Sequence, residues 1–260
     1  MTKYLLIPVL VFLSQFSMAQ DLSFYQKRVY TAKNGETLNY RILYPKDYGQ
    51  GRKYPVLLFL HGSGERGNDN EKQLLHGGDL FLNPANMEKF PAIVVFPQCP
   101  QDKSWASLSF KYEGAKRTCS RPTGKKPGEM ERMLKGLLKE LEKTEKADTK
   151  RIYIMGLSMG GFGTLDMVYL YPKTFAAAVP ICGGHAPELA GEYAKRVPVW
   201  LFHGAKDQVV SPDLSRNLYA KLKELGAEVK YTEFPEANHN SWDSTFTTTE
   251  LLPWVFSHHK

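Results

Sequence analysis

Residues 151–165 read RIYIMGLSMGGFGTL, and that order constrains the fold more than any other stretch of the chain. Ile152, Tyr153, Ile154 and Met155 make an apolar run of strand length. Gly156-Leu157-Ser158-Met159-Gly160 follows, and residues 162–171 then have helical character. A strand that turns sharply into a helix holds the residue at the apex in strained backbone geometry. Glycines two before and two after it let the chain double back without Cβ clashes. The same turn lifts the serine hydroxyl off the sheet and sets the positive end of a helix beneath it. Ser158 is therefore the candidate nucleophile. A glycine-rich turn can contain a serine by chance. The pentad gains its meaning from the strand before it, the helix after it and partners elsewhere in the chain.

From residue 54 onward, strand-like and helix-like segments alternate. Residues 54–60, 92–96, 152–155, 175–182, 198–202 and 229–234 read as strands. Residues 129–146 place Met130, Met133, Leu134, Leu137, Leu138 and Leu141 at spacings of three and four, which predicts an amphipathic helix. Further helices are expected over 69–82, over 212–225 with a stop at Gly226, and over 244–258 with a break or kink at Pro253. Ahead of these, residues 28–32 and 38–44 flank Asn34-Gly35, the signal of a hairpin forming an antiparallel edge. The alternation predicts an α/β fold, a mostly parallel sheet with helices on both faces and functional loops at the strand C-termini. A length of 260 residues suits one such domain with a substantial core.

A serine hydroxyl attacks a carbonyl near neutral pH only when a base takes its proton and a carboxylate orients that base. His61, Ser158, Asp207 and His239 each lie just after an expected strand, so the sheet would gather them along one rim. Serine, acid and histidine in that chain order fit such a sheet, which makes Asp207 the candidate acid and His239 the candidate base. Asp213 is the rival acid, in a helix-capping position after Pro212. Of the other histidines, His61 and His203 precede glycines in tight turns and suit holding loops. His76 is a further rival base, and His185 suits lining the pocket. The oxyanion donors are the backbone N–H of Met159 and one from the loop after Leu60, with Ser63 the first choice and Gly62 the second. Trp105, Tyr112, His185 and Trp242 fall near the same rim and would stack on a sugar or an aromatic acyl group. Partial core packing is the competing reading for the two tryptophans.

Lys3, a mostly apolar run over 4–16 and Ser17-Met18-Ala19 have the form of a secretory signal cleaved before Gln20. Residues 1–19 are therefore expected to be removed, leaving 20–260 as the catalytic domain. The apolar run is short for a membrane span, and no cysteine follows the cut to carry a lipid anchor. An exported protein, periplasmic or secreted, is expected. Cys99, Cys119 and Cys182 are odd in number and give no disulfide framework. A Cys99–Cys119 bridge is compatible with an oxidising compartment, but spacing alone does not bring the two together. The formal charge of +7 is spread without a dense basic stripe, so no nucleic-acid partner is expected. The Lys/Arg-rich residues 111–126 read as a solvated surface loop, with shaping of the substrate entrance as the second reading. No zinc-type His/Cys spacing, Asp-rich calcium loop or phosphate-cradling loop is present, and no metal or cofactor is expected. Oligomeric state is not legible.

HGSGERG, PQCP with Trp105, GLSMGGFGT, AAAVPICGG, HGAKDQVV and NHNSWD occur in order over residues 54–260. The set resembles the α/β-hydrolase superfamily. It is similar to secreted bacterial esterases of the carboxylesterase/phospholipase type, in the branch often labelled predicted peptidase. Feruloyl esterases, acetyl-xylan esterases and prolyl-oligopeptidase catalytic domains are relatives of that branch. The resemblance implies the eight-stranded α/β-hydrolase sheet, with Ser158 as nucleophile, Asp207 as acid, His239 as base, and Ser63 and Met159 as oxyanion donors. The expected function is an exported serine carboxylesterase that hydrolyses a carbohydrate or hydroxycinnamate-type ester through an acyl-enzyme. A serine peptidase or amidase with the same triad is the alternative, and a non-catalytic binding protein on the same scaffold is the third reading, because one fold hosts many activities.

Overall fold

A computed structural model describes residues 21–113 and 116–260, with side chains outside 112–117. The secretory signal read over residues 1–19 and the side chain of Tyr112 lie outside the described residues. The chain begins with β1 (Gln26–Thr31) and β2 (Thr37–Leu43), then β3 (Tyr54–Leu60), α1 (Gly78–Leu82), α2 (Pro84–Lys89) and β4 (Ile93–Pro97). A two-stranded hairpin, β5 (Ser109–Glu113) and β6 (Lys116–Ser120), precedes α3 (Glu129–Thr144), β7 (Ala147–Leu157), α4 (Met159–Leu170) and β8 (Ala177–Ile181). The chain closes with β9 (Val199–Gly204), α5 (Asp213–Glu224), β10 (Val229–Phe234), α6 (Ser241–Phe246) and α7 (Leu251–Ser257).

Eight strands form one sheet in the order β1-β2-β4-β3-β7-β8-β9-β10. The first two are antiparallel, Gln26 opposite Ile42 and Thr31 opposite Thr37, and β2 is antiparallel to β4. Every pairing from β4 through β10 is parallel. The Asn34-Gly35 signal does make the antiparallel edge, and Gly35 takes the left-handed φ of 87° that the turn requires.

Alternation along the strands divides the core in two. Val56, Leu58 and Leu60, with Ile152 and Ile154, face one side, where α3, α4 and α5 cover them with Leu134, Leu137, Val168 and Leu218. Leu57, Phe59, Val94, Phe96 and Met155 face the other, under Phe81, Leu251 and Trp254. Central strands buried on both faces carry no polar alternation, which is why β3 and β4 read as unbroken apolar runs.

Three expectations are corrected. Residues 69–82 do not form one helix: a single 3-10 turn at Lys72–Leu74 is followed by α1, and the left-handed Gly77 stands between them. Residues 244–258 divide into α6 and α7 around a break at 247–250. Pro253 lies in the first turn of α7, where its missing N–H leaves no bond unmade. The stretch at 111–126, read as a surface loop, is in part strand: the β5–β6 hairpin runs through Ser120.

Candidate active site

β7 ends in Leu157 and α4 starts at Met159, so the whole reversal falls on Ser158, at φ 52° and ψ −115°. That backbone region is costly for a residue with a Cβ and is held by its surroundings. Ser158 N–H donates to Ile181 O at 2.9 Å, and Ser158 O accepts from Phe162 N–H at 3.1 Å. Gly160 is demanded by contact: a Cβ there would lie 1.9 Å from Leu60 O.

The turn after β9 and the loop after β10 are laced together. Ala205 N–H donates to Phe234 O (2.9 Å), Lys206 N–H to Ala237 O (3.0 Å) and Gln208 N–H to Asn238 Oδ1 (3.1 Å). This pairing brings Asp207 to His239. Asp207 Oδ2 lies 2.8 Å from His239 Nδ1, and His239 Nε2 lies 2.9 Å from Ser158 Oγ. Asp207 is buried. Burial opposes its ionisation, but hydrogen bonds from His203, His239 and the N–H groups of Val210 and Val209 outweigh it and hold the carboxyl well below the usual carboxylate range. With Asp207 ionised, Nδ1 carries the proton and Nε2 offers its lone pair to the Ser158 hydroxyl.

A cleft of about 400 Å³ opens beside this chain, lined by Ser63, Ser104, Leu108, Phe110, Phe162 and Val210 together with Ser158 and Met159. Met159 is the first residue of α4, so its N–H has no carbonyl in its own helix. Ser63 opens a short 3-10 turn directly after β3, and a Cβ on its neighbour Gly62 would come within 3.7 Å of Ser158 Cβ. Both N–H groups expected as oxyanion donors therefore belong to residues at the wall around Ser158. Among the described residues, Cys182, Asp207 and His239 are the group whose ligand atoms approach closely enough to hold a metal ion, all within 4.8 Å. Burial pushes the Cys182 thiol far up, away from the thiolate a metal binds, and the carboxylate and imidazole already bond each other.

The model of the phospholipase/carboxylesterase family matches residues 48–250. The chain belongs to that family. A crystal structure of a thermostable esterase superposes with a TM-score of 0.83 at 33% identity, over 92% of this chain and 64% of that one. Carboxylesterase SOBER1 of Arabidopsis thaliana is 30% identical over 105 residues, 38% of this chain and 46% of its own length. The bifunctional acetylxylan esterase/xylanase XynS20E of Neocallimastix patriciarum is 26% identical over 157 residues, 60% of this chain and 20% of its own. The chain spans less than two thirds of the length of each of these three.

Within this family framework, the remaining residues singled out from sequence divide sharply. Trp242 stands at the site: its ring packs edge-on to His239 at 5.5 Å and against His76 at 5.0 Å. Trp105 does not line the cleft. It is fully buried, and its indole N–H donates to His61 O at 3.0 Å, holding the loop after β3 from behind. His185 does not line it either: it is fully buried, with Nε2 3.3 Å from Asp166 Oδ1. His61 is sealed between Gly62 O (2.6 Å from Nδ1) and the Cys99 N–H (3.0 Å from Nε2), and burial lowers it to about 4. Asp213 is exposed and paired with Arg216 at 2.8 Å, away from the triad-like chain. Cys99, Cys119 and Cys182 are all buried and unbridged.

The surface-loop reading of residues 111–126 fails at Arg121. Its side chain is fully buried, with Nε 2.7 Å from Asp166 on α4 and Nη2 3.2 Å from Glu131 on α3. The Ser107 N–H donates to Glu131 Oε1 at 2.9 Å. Burial and the neighbouring Asp166 push Glu131 up. In Asp166, burial works against ionisation, but the bonds to His185, Glu131 and Arg121 prevail and lower it. This cluster staples the hairpin to two helices, and the hairpin in turn presents Phe110 to the cleft and to the Phe162 ring at 5.1 Å. The signals for it were Glu131 on the apolar stripe of one helix and Asp166 inside an apolar helix, both of which need a buried partner.

Proposed function

We propose that this protein is an exported serine carboxylesterase that hydrolyses carboxylic esters of a carbohydrate or hydroxycinnamate type. The observation that carries the reading is the unbroken chain Ser158 Oγ, His239, Asp207, with spacings of 2.9 and 2.8 Å, at the mouth of a cleft. In this reading Ser158 Oγ attacks the ester carbonyl carbon while His239 Nε2 takes its proton. The negative oxygen is received by the N–H groups of Met159 and Ser63, each worth about 3–4 kcal/mol of transition-state stabilisation. Collapse expels the alcohol, which leaves with the proton from His239. Water, activated by the same imidazole, then releases the acid.

The cleft supports the acyl side of the proposal. Leu108, Phe110, Phe162 and Val210 give it apolar walls, and Ser63 and Ser104 set two hydroxyl-bearing residues into them. Such a surface suits an apolar or aromatic acyl group with a polar substituent better than a charged one. Membership of the family and the acetylxylan esterase among the relatives support ester chemistry and a carbohydrate alcohol. Lys3, the apolar run and Ser17-Met18-Ala19 support export.

The test is a panel of p-nitrophenyl acetate, methyl ferulate, acetylated xylan and peptide anilides, run on the protein and on Ser158→Ala. Ester turnover lost in the variant is the expected result. Robust anilide cleavage with negligible ester turnover would overturn the esterase reading. Failure of a fluorophosphonate probe to label folded protein at Ser158 would overturn the nucleophile. N-terminal sequencing of expressed protein, expected to begin at Gln20, tests export.

A further inference from the structure

Asp207 Oδ2 faces a second imidazole. His203, at the end of β9, has its side chain fully buried, and its Nε2 lies 3.3 Å from Asp207 Oδ2, the same oxygen that meets His239 Nδ1 at 2.8 Å. Val210 O lies 2.9 Å from that Nε2 as well. Both oxygens facing Nε2 are acceptors without a hydrogen, so Nε2 must carry the proton; it donates to Val210 O, with Asp207 Oδ2 beside that bond at 3.3 Å. On the far side of the ring, Nδ1 is 2.7 Å from Ser215 Oγ on α5, and Ser215 Oγ is 3.1 Å from Gly183 O. The ring is thus clamped at both nitrogens. The other Asp207 oxygen accepts the N–H groups of Val209 (2.8 Å) and Val210 (2.9 Å).

We propose that His203 is a positioning residue of this site: through Asp207 Oδ2 it fixes the plane of the carboxylate and draws off part of its negative charge, and so sets how readily His239 takes a proton. The inference rests on the triad reading above. Two consequences follow from the geometry. Without the Nε2–H, Asp207 keeps its two backbone bonds on Oδ1 but loses the positive N–H edge that lies 3.3 Å from Oδ2 and steadies it beside His239. Its charge then falls more fully on His239, which stabilises the imidazolium and keeps the base protonated to higher pH. The other charged and titratable groups around His203 are few. Glu233 lies opposite it in the β9–β10 register and is bound to Arg216 at 2.7 and 2.8 Å, and the Cys182 thiol lies on the β8 side near Asp207. The Glu233–Arg216 pair is internally neutralised, and the thiol is pushed up by burial, so Asp207 is the charge that His203 acts upon.

The experiment compares His203→Phe, which fills the space without a donor, with His203→Gln, whose amide can place an N–H where Nε2–H stands. Kinetics are followed on p-nitrophenyl acetate from pH 5 to 9, alongside the melting temperature and fluorophosphonate labelling. For His203→Phe the expected result is a fall in kcat of about ten- to a hundredfold with KM little changed, since misalignment far from the reacting atoms reaches that size. The acid limb of kcat/KM should also move up by roughly half a unit or more. His203→Gln should recover most of the rate and return the limb toward the wild-type position. Ser215→Ala loosens the ring without touching its donor, and is expected to give an intermediate rate with the limb displaced in the same direction. The proposal is overturned if the Phe and Gln variants behave alike, or if rate is lost only in proportion to folded protein while the limb stays in place in all three variants. A wild-type protein that turns over no ester would instead overturn the triad reading on which the proposal rests.

Discussion

The pairs Asp207–His239 and Asp166–His185 sit on neighbouring parts of this fold and differ in what the far nitrogen of the ring meets. Asp207 and His239 are 2.8 Å apart, and the outer nitrogen of His239 meets Ser158. Asp166 and His185 are 3.3 Å apart, and both are completely sealed; the outer nitrogen of His185 has no hydrogen-bond partner among the described residues. The charge of Asp166 is answered by the Arg121 guanidinium, whereas that of Asp207 is answered by imidazoles and backbone N–H groups. A buried guanidinium remains a cation throughout and locks its partner as a structural anion. An imidazole takes up and gives back a proton, so its carboxylate can work through a reaction cycle. What separates the two pairs is the permanence of the countercharge and the exposure of one ring edge.

Substituting the two acids in the same way sharpens that contrast. Asp207→Asn is expected to lower kcat on p-nitrophenyl acetate by about 10⁴-fold, because the amide no longer holds the imidazole in the working tautomer. Its melting temperature should fall less than that of the Asp166→Asn variant, since the backbone N–H bonds to Oδ1 remain available and no buried guanidinium loses a partner. Asp166→Asn should do the opposite. It leaves the fully buried Arg121 with one fewer charged partner, which costs about 3–5 kcal/mol. For a chain of this size that is a fall of about 10 °C or more in melting temperature. Activity per folded molecule should stay within tenfold of wild type. If Asp166→Asn lost activity without losing stability, the two clusters would not differ as described.

His61 supplies a third case, an imidazole sealed without any carboxylate. Burial lowers it to about 4, while in the unfolded chain it titrates near its ordinary ~6.5. The unfolded state therefore binds the proton first as pH falls. The stabilising effect of a neutral His61 is complete above about pH 6.5, declines below it and is gone once pH has passed about 4. The difference amounts to about 3 kcal/mol. Urea midpoints measured across this range should fall steeply for the wild type. His61→Gln, though weaker at neutral pH, should show a shallower fall over the same interval. Parallel curves would assign the acid sensitivity to other groups.

The chain order of strands and the site at their C-terminal rim were legible because both rest on local signals. An apolar run such as 54–60 has few alternatives to a central strand, and the Ser158 pentad requires a strand before it and a helix after it. The direction of a side chain leaving the rim was not legible. Trp105 and His185 follow strands just as Trp242 follows β10, yet both turn inward. For Trp105 the space is made at Gly163, where a Cβ would lie 2.4 Å from Trp105 Cβ. That space is created by another helix, 58 positions along the chain, and no window around Trp105 contains it. Arg121 was hidden for a related reason. It stands in the same stretch as the exposed Lys111, Lys125 and Lys126, and its burial is dictated by Asp166 and Glu131 on two separate helices.

The smallest expected effect joins the two regions. The Arg121 cluster holds the β5–β6 hairpin in place, and Phe110 on that hairpin forms part of the cleft wall beside Ser158. If the cleft receives the acyl group, removing this ring should matter in proportion to the apolar surface the acyl group presents. Phe110→Ala is expected to lower kcat/KM for methyl ferulate about tenfold relative to p-nitrophenyl acetate, the scale on which one apolar wall contact discriminates. The acetyl group is too short to reach far along that wall, so its turnover serves as the internal reference. An equal loss on both esters would mean that the ring supports the Phe162 side of the cleft and not the acyl group itself, and would place the selective surface elsewhere around Ser158.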